Sequence, residues 1–145
     1  MGIGFVIRLE HWSRIGKLKY LDGWTAARQR NAAFYDKSFA GSGLRDKIVP
    51  PKVIEHGRHI FNQYVVRVQQ RDELKDFLAQ RNIGTEIYYP VPLHLQKCFE
   101  YLKHAPGDFP ESERAARETL ALPIYPELDE TQLRHVVATI AEFYR

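Results

Sequence analysis

The run from His59 to Gln69 constrains the fold most, because it contains neither glycine nor proline and is rich in β-branched and aromatic residues. Such a composition favours a strand over a helix. With these residues on both faces, the sequence predicts a strand that is buried on both sides. A second strand is predicted over Thr85–Tyr89, where Pro90 ends it. A brief third strand is predicted over Leu120–Leu122.

Helical periodicity is most regular near the C-terminus. Apolar residues recur at steps of three and four from Leu133 to Tyr144. Asp129 and Gln132 precede them with the spacing of a capping box, in which each side chain bonds the other residue's backbone N–H. The sequence therefore predicts a helix there. Shorter helices are predicted to begin at three other places along the chain, at Asp72, Leu95 and Pro110.

A long first helix is predicted from the apolar spacing between Ile15 and Tyr35, and the glycines at 41 and 43 end it. Strands separated by helices define an α+β domain, in which a small sheet is flanked by helices. The long N-terminal helix exceeds what so small a sheet requires. This excess length indicates that part of the helix packs against a surface that this chain does not supply.

Length, charge and cysteine content exclude several classes of protein. A chain of 145 residues corresponds to one domain. Its single cysteine, Cys98, cannot form an internal disulfide, which favours a reducing, cytoplasmic location. A net charge of +3 is too small to indicate nucleic-acid binding. Arg8 interrupts the early apolar stretch Ile3–Ile7, so neither a signal peptide nor a membrane span is predicted.

Two reactive patterns around Cys98 are weak. His94, Cys98 and His104 could supply zinc ligands, but no matching pair completes a four-ligand site. A nucleophilic dyad of Cys98 and His94 would need a third group that orients the base. We therefore predict no metal site and interpret Cys98 as a small buried side chain.

Two further alternatives concern aromatic residues. RNA binding is one, since a small sheet carrying Phe61, Tyr64, Tyr88 and Tyr89 could stack bases, although the signature of the common RNA-recognition motif is absent. The other is the segment Tyr88–Gln96, in which two prolines stiffen the turn between a tyrosine pair and His94. Such rigidity suits a ligand-facing loop. The same residues could equally cover an edge of the core.

Several short motifs follow one another along the chain: KLKYLDGW at 17–24, HIFNQYVVRV at 59–68, YYPVPLHLQ at 88–96 and LALPIYPEL at 120–128. In this order they resemble the DegT/DnrJ/StrS family of nucleotide-sugar aminotransferases. The resemblance extends collinearly over residues 17–145. Residues 1–16 match nothing in the family and are interpreted as an unrelated lead-in, as though a truncated reading frame had acquired a new start.

The resemblance implies both a fold and a chemistry. Members of the family are homodimers that bind pyridoxal phosphate (PLP) as an aldimine on a lysine and transfer an amino group from glutamate to a keto-sugar nucleotide. The sequence resembles only their small C-terminal domain. The large domain, which supplies that lysine, has no counterpart here. We therefore predict no catalytic residue, no cofactor-binding residue and no transamination by the chain alone.

By the same resemblance, Tyr88, Tyr89 and His94 lie on the substrate side of the cleft and contact the sugar nucleotide. The large domain would also cover the first helix, and its removal exposes apolar side chains such as Leu21. We therefore predict a homo-oligomer whose contact is the helix from Lys17 to Phe39. The alternative is a protein-interaction or ligand-binding module that docks onto an aminotransferase large domain.

Overall fold

The computed structural model describes residues 16–145, so nearly all of the predicted lead-in lies outside the described residues. Residues 16–18 are helical, and four further helices and a three-stranded sheet follow them. In chain order they are α1 (Leu21–Gly41), β1 (Ile48–Val49), β2 (Tyr64–Val68), α2 (Arg71–Ala79), α3 (Pro110–Glu118), β3 (Thr119–Leu122) and α4 (Glu130–Phe143). Two 3-10 helices, Leu93–Leu95 and Lys97–Leu102, lie between α2 and α3. The predicted α+β class is confirmed.

The sheet is antiparallel throughout, with β2 in the centre. β1 pairs with β2 so that Ile48 lies opposite Val68. β2 pairs with β3 from Tyr64 opposite Leu122 to Arg67 opposite Thr119. The central strand thus joins the two halves of the chain.

Only one face of β2 is fully buried. Tyr64, Val66 and Val68 are buried, whereas Val65 and Arg67 between them are half-buried. The prediction of a strand buried on both sides is therefore wrong. Val65 and Arg67 keep part of their surface in water, which is the alternation of an ordinary antiparallel strand.

The predicted strand at 85–89 is also wrong in extent, because it is reduced to one bridge. Glu86 and Ala121 exchange backbone hydrogen bonds of 3.2 and 2.8 Å. Beyond this bridge, Ile87, Tyr88 and Tyr89 form no further pair with β3, and the two tyrosines are exposed. The bridge nevertheless ties the start of the following loop to the sheet.

The second half of α1 packs on the domain's own sheet. The Tyr35 ring lies 5.0 Å from the Tyr64 ring and 5.9 Å from that of Phe39, measured between centroids. The Tyr35 hydroxyl donates to the Pro123 carbonyl at 3.0 Å, and the Tyr64 hydroxyl donates to the Asp36 carboxylate at 2.6 Å. These contacts fix the direction of the helix.

The beginning of α1 is different, because its apolar residues face outward. Leu18, just before the helix, is 62% exposed, and Leu21 is 49% exposed. The predicted oligomer contact spans Lys17 to Phe39. Within this range, the apolar side chains that the domain itself leaves exposed lie at the beginning of α1.

The C-terminal helix α4 forms as predicted. The Asp129 carboxylate accepts from the Gln132 backbone N–H at 2.8 Å, and the Gln132 side chain accepts from the Asp129 N–H at 3.1 Å. This is the predicted capping box. Across the described residues, no helix combines the length and hydrophobicity needed to cross a bilayer.

Candidate functional site: the tyrosine loop

The segment from Ile87 to Phe109, which we call the tyrosine loop, carries all three predicted site residues. It leaves the sheet after the Glu86 bridge and ends where α3 begins. Its backbone forms two short 3-10 helices and a turn at residues 105–108 rather than regular elements. None of its residues from 88 to 109 belongs to the apolar core.

Tyr88 and Tyr89 point outward. Tyr88 is 43% exposed and Tyr89 is 67% exposed, and the peptide bond between them is cis. Their rings lie 6.1 Å apart between centroids, nearly perpendicular to one another. Each tyrosine therefore offers an aromatic face and a hydroxyl to a ligand in solution.

The His94 side chain points inward, in contrast to the exposed side chains of the tyrosine pair. Its side chain is 7% exposed, and its ring centroid lies 4.8 Å from that of Phe109. Its Nε2 atom lies 3.1 Å from Oε1 of Glu113. The structure thus brings the two tyrosines together and places His94 in a separate cluster. Contact between these three residues and a sugar nucleotide stays a prediction.

Glu113 is the centre of the His94 cluster. Its carboxylate accepts from the Gly107 backbone N–H at 2.7 Å. This bond, followed by the bond from His94, lowers the pKa of Glu113 below its ordinary value of 4.5, so the carboxylate is ionised at neutral pH. Because an ionised carboxylate only accepts hydrogen bonds, Nε2 of His94 carries the proton between them.

A second histidine–carboxylate pair lies beside the first. The Asp108 carboxylate accepts from the Ala105 backbone N–H at 3.0 Å and lies 3.3 Å from Nδ1 of His104. The Ala105 bond, followed by the His104 bond, lowers the pKa of Asp108. This pair closes the turn that leads into α3.

A cleft of about 300 Å³ opens beside Tyr88. Its polar lining comes from two separate parts of the chain, namely Asn62 with Gln63, and Thr85 with Glu86 and Tyr88. Amide, carboxylate and hydroxyl groups are suited to hydrogen-bonding the hydroxyls of a sugar. Sequence reasoning missed Asn62, Gln63 and Glu86, because no motif or spacing links these segments. Only the pairing of β2 with β3 and the Glu86 bridge bring them together.

Cys98 is exposed, so its interpretation as a buried side chain is wrong. The cause is that the 3-10 helix carrying it lies on the surface and buries no residue.

Within residues 16–145, no three histidine, cysteine, aspartate or glutamate side chains could hold a metal ion together. Phe61 and Tyr64 are buried, which removes them from any surface that could stack RNA bases.

Solved structures define the class of protein to which this fold belongs. Streptomyces venezuelae DesV, in complex with a ketimine intermediate, superposes with a TM-score of 0.82 and 34% identity. The match covers 90% of this chain and 34% of that one. A Brucella abortus aminotransferase superposes with a TM-score of 0.77 and 33% identity, over 89% of this chain and 33% of that one. The fold is therefore part of a sugar-aminotransferase fold.

The chain belongs to the DegT/DnrJ/EryC1/StrS aminotransferase family, whose model matches residues 8–141. A pleiotropic regulatory protein of Geobacillus stearothermophilus is 46% identical over 89% of this chain. The dTDP-3-amino-3,4,6-trideoxy-α-D-glucose transaminase of S. venezuelae is 33% identical over 88% of it. The chain spans about a third of each relative, 34% and 33% of their lengths. The predicted family resemblance is confirmed, and the boundary at residue 17 stays a prediction.

Proposed function

We propose that these 145 residues are the small C-terminal domain of a nucleotide-sugar aminotransferase. The domain contributes substrate contacts, and the cofactor lysine comes from elsewhere. The observation that carries this proposal is the match with the DesV structure, which covers nearly all of this chain and a third of that one. The Tyr88–Tyr89 pair and the cleft beside Tyr88 are the part of the domain that we assign to the substrate.

The lysines support the division of labour between domains. A lysine that forms a Schiff base with PLP needs a desolvated pocket or a neighbouring charge that activates its amine. Every lysine of the chain lies within the described residues, and all are exposed except Lys75, which is half-buried on α2. The residues present therefore do not fit the cofactor, and we expect no transamination by this chain alone.

An absorbance measurement tests that expectation. Purified chain is mixed with PLP, and then with glutamate and a dTDP-linked keto-sugar. We expect neither a stable band from lysine-bound cofactor nor an aminated sugar. A band that disappears on substitution of one particular lysine would show that the chain holds its own cofactor site.

The substrate assignment rests on Tyr88, Tyr89 and the cleft beside them. Aromatic rings can stack on a nucleobase or a sugar face, and the amides of Asn62 and Gln63 can bond to hydroxyls. The names of several relatives specify dTDP- or UDP-linked amino sugars. We therefore propose a nucleotide sugar as the ligand of the tyrosine loop.

A chimera tests this assignment directly. The corresponding third of the S. venezuelae transaminase is replaced by this chain, and PLP content and cooperative unfolding verify that the chimera folds. We expect transamination, and a fall in kcat/KM of about tenfold or more for Tyr89→Ala, because one ring contact with substrate is worth roughly 1–3 kcal/mol. Tyr101→Ala, an equally exposed position on a 3-10 helix, is the matched control. A folded, PLP-loaded chimera without activity would refute the proposal.

We propose that the partner of this chain is a second copy of itself, which binds through the start of α1. The exposed Leu18 and Leu21 lie beside Trp24, which is half-buried, and Trp24 contacts the Tyr20 ring at 5.8 Å. Burying such a surface contributes about 25 cal/mol per Å² of apolar area, before the costs of association. We therefore propose that a second copy of the chain covers this apolar surface.

Sedimentation tests this partner. We expect the wild type to dimerise and Leu21→Glu with Trp24→Glu to sediment as a folded monomer. Lys37→Glu with Ala40→Glu, at exposed positions near the other end of α1, is the matched control. If the wild type and both variants are monomers, self-association is refuted. Binding of that monomer to a separately expressed large domain would then favour the docking alternative.

A further inference from the structure

The part of the tyrosine loop that carries Tyr88 and Tyr89 is held at both ends by one continuous unit. At one end, Glu86 bridges to Ala121 in β3. At the other end, His94 bonds to Glu113 in α3. Since α3 runs into β3 without an intervening residue, both attachments lie on a single helix–strand unit. The segment between them cannot shift as a whole unless one attachment opens.

Local features stiffen the segment between the two attachments. Pro90 and Pro92 fix their φ angles near −65°. The Leu95 N–H donates to the Pro92 carbonyl at 3.0 Å, and the Gln96 side chain donates to the Val91 carbonyl at 3.2 Å. Few backbone rotations are therefore left between His94 and the tyrosine pair.

The His94 attachment is the more specific of the two, because it depends on a side chain. The nearly fully buried imidazole packs on Phe109 and donates to a carboxylate that also accepts from the Gly107 N–H. A hydrogen bond to an ionised acceptor is about twice as strong as one between neutral groups. The carboxylate is thus suited to hold the loop and the following turn together.

We propose that His94 is a positioning residue, which holds the Tyr88–Tyr89 pair in place through its hydrogen bond to Glu113. The inward direction of the imidazole favours this role over direct contact with a ligand. This inference rests on the proposed function in one respect, namely that the tyrosine pair is held in place in order to contact a nucleotide sugar. The holding contact itself can be tested without any ligand.

Fluorine NMR on the full chain measures the position of Tyr89. The chain is labelled with 3-fluorotyrosine at residue 89 alone, or at Tyr20, directly before α1, as a reference site. His94→Ala removes the donor, whereas His94→Gln places an amide N–H where Nε2 was. His135→Ala, an exposed histidine on α4, is the matched control. Cooperative unfolding of each variant verifies that it is folded.

For His94→Ala we expect the Tyr89 resonance to move by more than its linewidth while the Tyr20 resonance stays unchanged. The Leu95 amide should exchange with solvent about tenfold faster, because its turn is no longer anchored. His94→Gln should restore both observables, and His135→Ala should alter neither.

Two results would overturn the proposal. One is a Tyr89 resonance and a Leu95 exchange rate that His94→Ala leaves unchanged. The other is a change that His94→Gln does not reverse, since the hydrogen bond would then not be the holding contact. Neither result depends on a nucleotide sugar, so an inactive chimera would refute the proposed function and leave this measurement intact.

Discussion

The core around β2 and the tyrosine loop are stabilised in opposite ways. Tyr64, Leu120 and Ile140 are completely buried in the core, where the removal of apolar surface from water supplies the stabilisation. The tyrosine loop contributes nothing to this core from residue 88 to residue 109. Prolines, short turns and two histidine–carboxylate pairs hold it instead. The part of the domain assigned to substrate is thus built for position and contributes little to global stability.

Truncation of a core residue should produce the largest effect. Leu120→Ala removes a fully buried side chain from β3, and we expect the free energy of unfolding to fall by about 2–5 kcal/mol. Leu93→Ala, the same change at an exposed position in the tyrosine loop, should cost less than about 0.5 kcal/mol. Urea unfolding of both variants measures the difference. Equal losses would mean that the loop is part of the cooperative core.

The buried phenol of Tyr64 should give the next largest effect. Tyr64→Phe removes the donor to the Asp36 carboxylate, and we expect a loss of about 1.5 kcal/mol in the free energy of unfolding. Tyr88→Phe in the loop is the control and should leave stability unchanged. An unchanged stability for Tyr64→Phe would show that water replaces the hydroxyl at no cost.

Alkaline pH should give a second measure of the buried Tyr64 phenol. Burial, followed by the hydrogen bond to Asp36, raises the pKa of Tyr64 above its ordinary value of 10.0. Since the folded state keeps a proton that the unfolded state loses, stability is complete below pH 10 and declines as the pH rises further. Urea unfolding at rising pH should show a smaller decline for Tyr64→Phe. Parallel curves for the two proteins would contradict this assignment.

The α4 cap should have an intermediate effect outside both regions. Asp129→Ala removes the acceptor of the Gln132 N–H, and we expect a loss of about 1 kcal/mol. Asp129→Asn keeps an acceptor oxygen and should lie within a few tenths of a kcal/mol of the wild type. Thermal unfolding ranks the three proteins. A loss of the same size for Asn would show that charge, not capping, is responsible.

Acid should affect the tyrosine loop locally and the core hardly at all. The Gly107 N–H and then His94 lower the pKa of Glu113, so its contribution is complete above pH 4.5 and is lost as the pH falls through the lower folded value. The exchange rate of the Gly107 amide should rise over that interval. Glu113→Gln should abolish this dependence, whereas Glu111→Gln on the same helix should preserve it. Loss of the core signals over the same interval would contradict the separation of the two regions.

Local patterns predicted the parts of the fold that local chemistry determines. The α4 helix and its cap were predictable because Asp129, Gln132 and the apolar stripe act within one helix. The two-residue strand β1 was not, because Ile48 and Val49 are a strand only by virtue of their β2 partners. The predicted strand at 85–89 failed for the related reason that most of it has no partner.

The candidate site shows the same limit. The prolines at 90 and 92 indicated a turn, which the Leu95 N–H closes onto the Pro92 carbonyl, and the family resemblance singled out Tyr88, Tyr89 and His94. The inward direction of His94 could not be predicted, because it depends on a carboxylate in α3 and on the Phe109 ring. The cleft beside Tyr88 could not be predicted either, since its lining converges only once the sheet has formed.

The pairing of Tyr64 with Leu122 has a consequence for biosynthesis. The central strand emerges from the ribosome well before its partner, because α2, the tyrosine loop and α3 are translated between them. At about 5–20 residues per second, that interval lasts on the order of seconds. During this time the two edges of β2 can meet only β1 or another chain. A nascent domain of this topology therefore exposes an unpaired strand edge, a template for pairing with other chains, until β3 has been made.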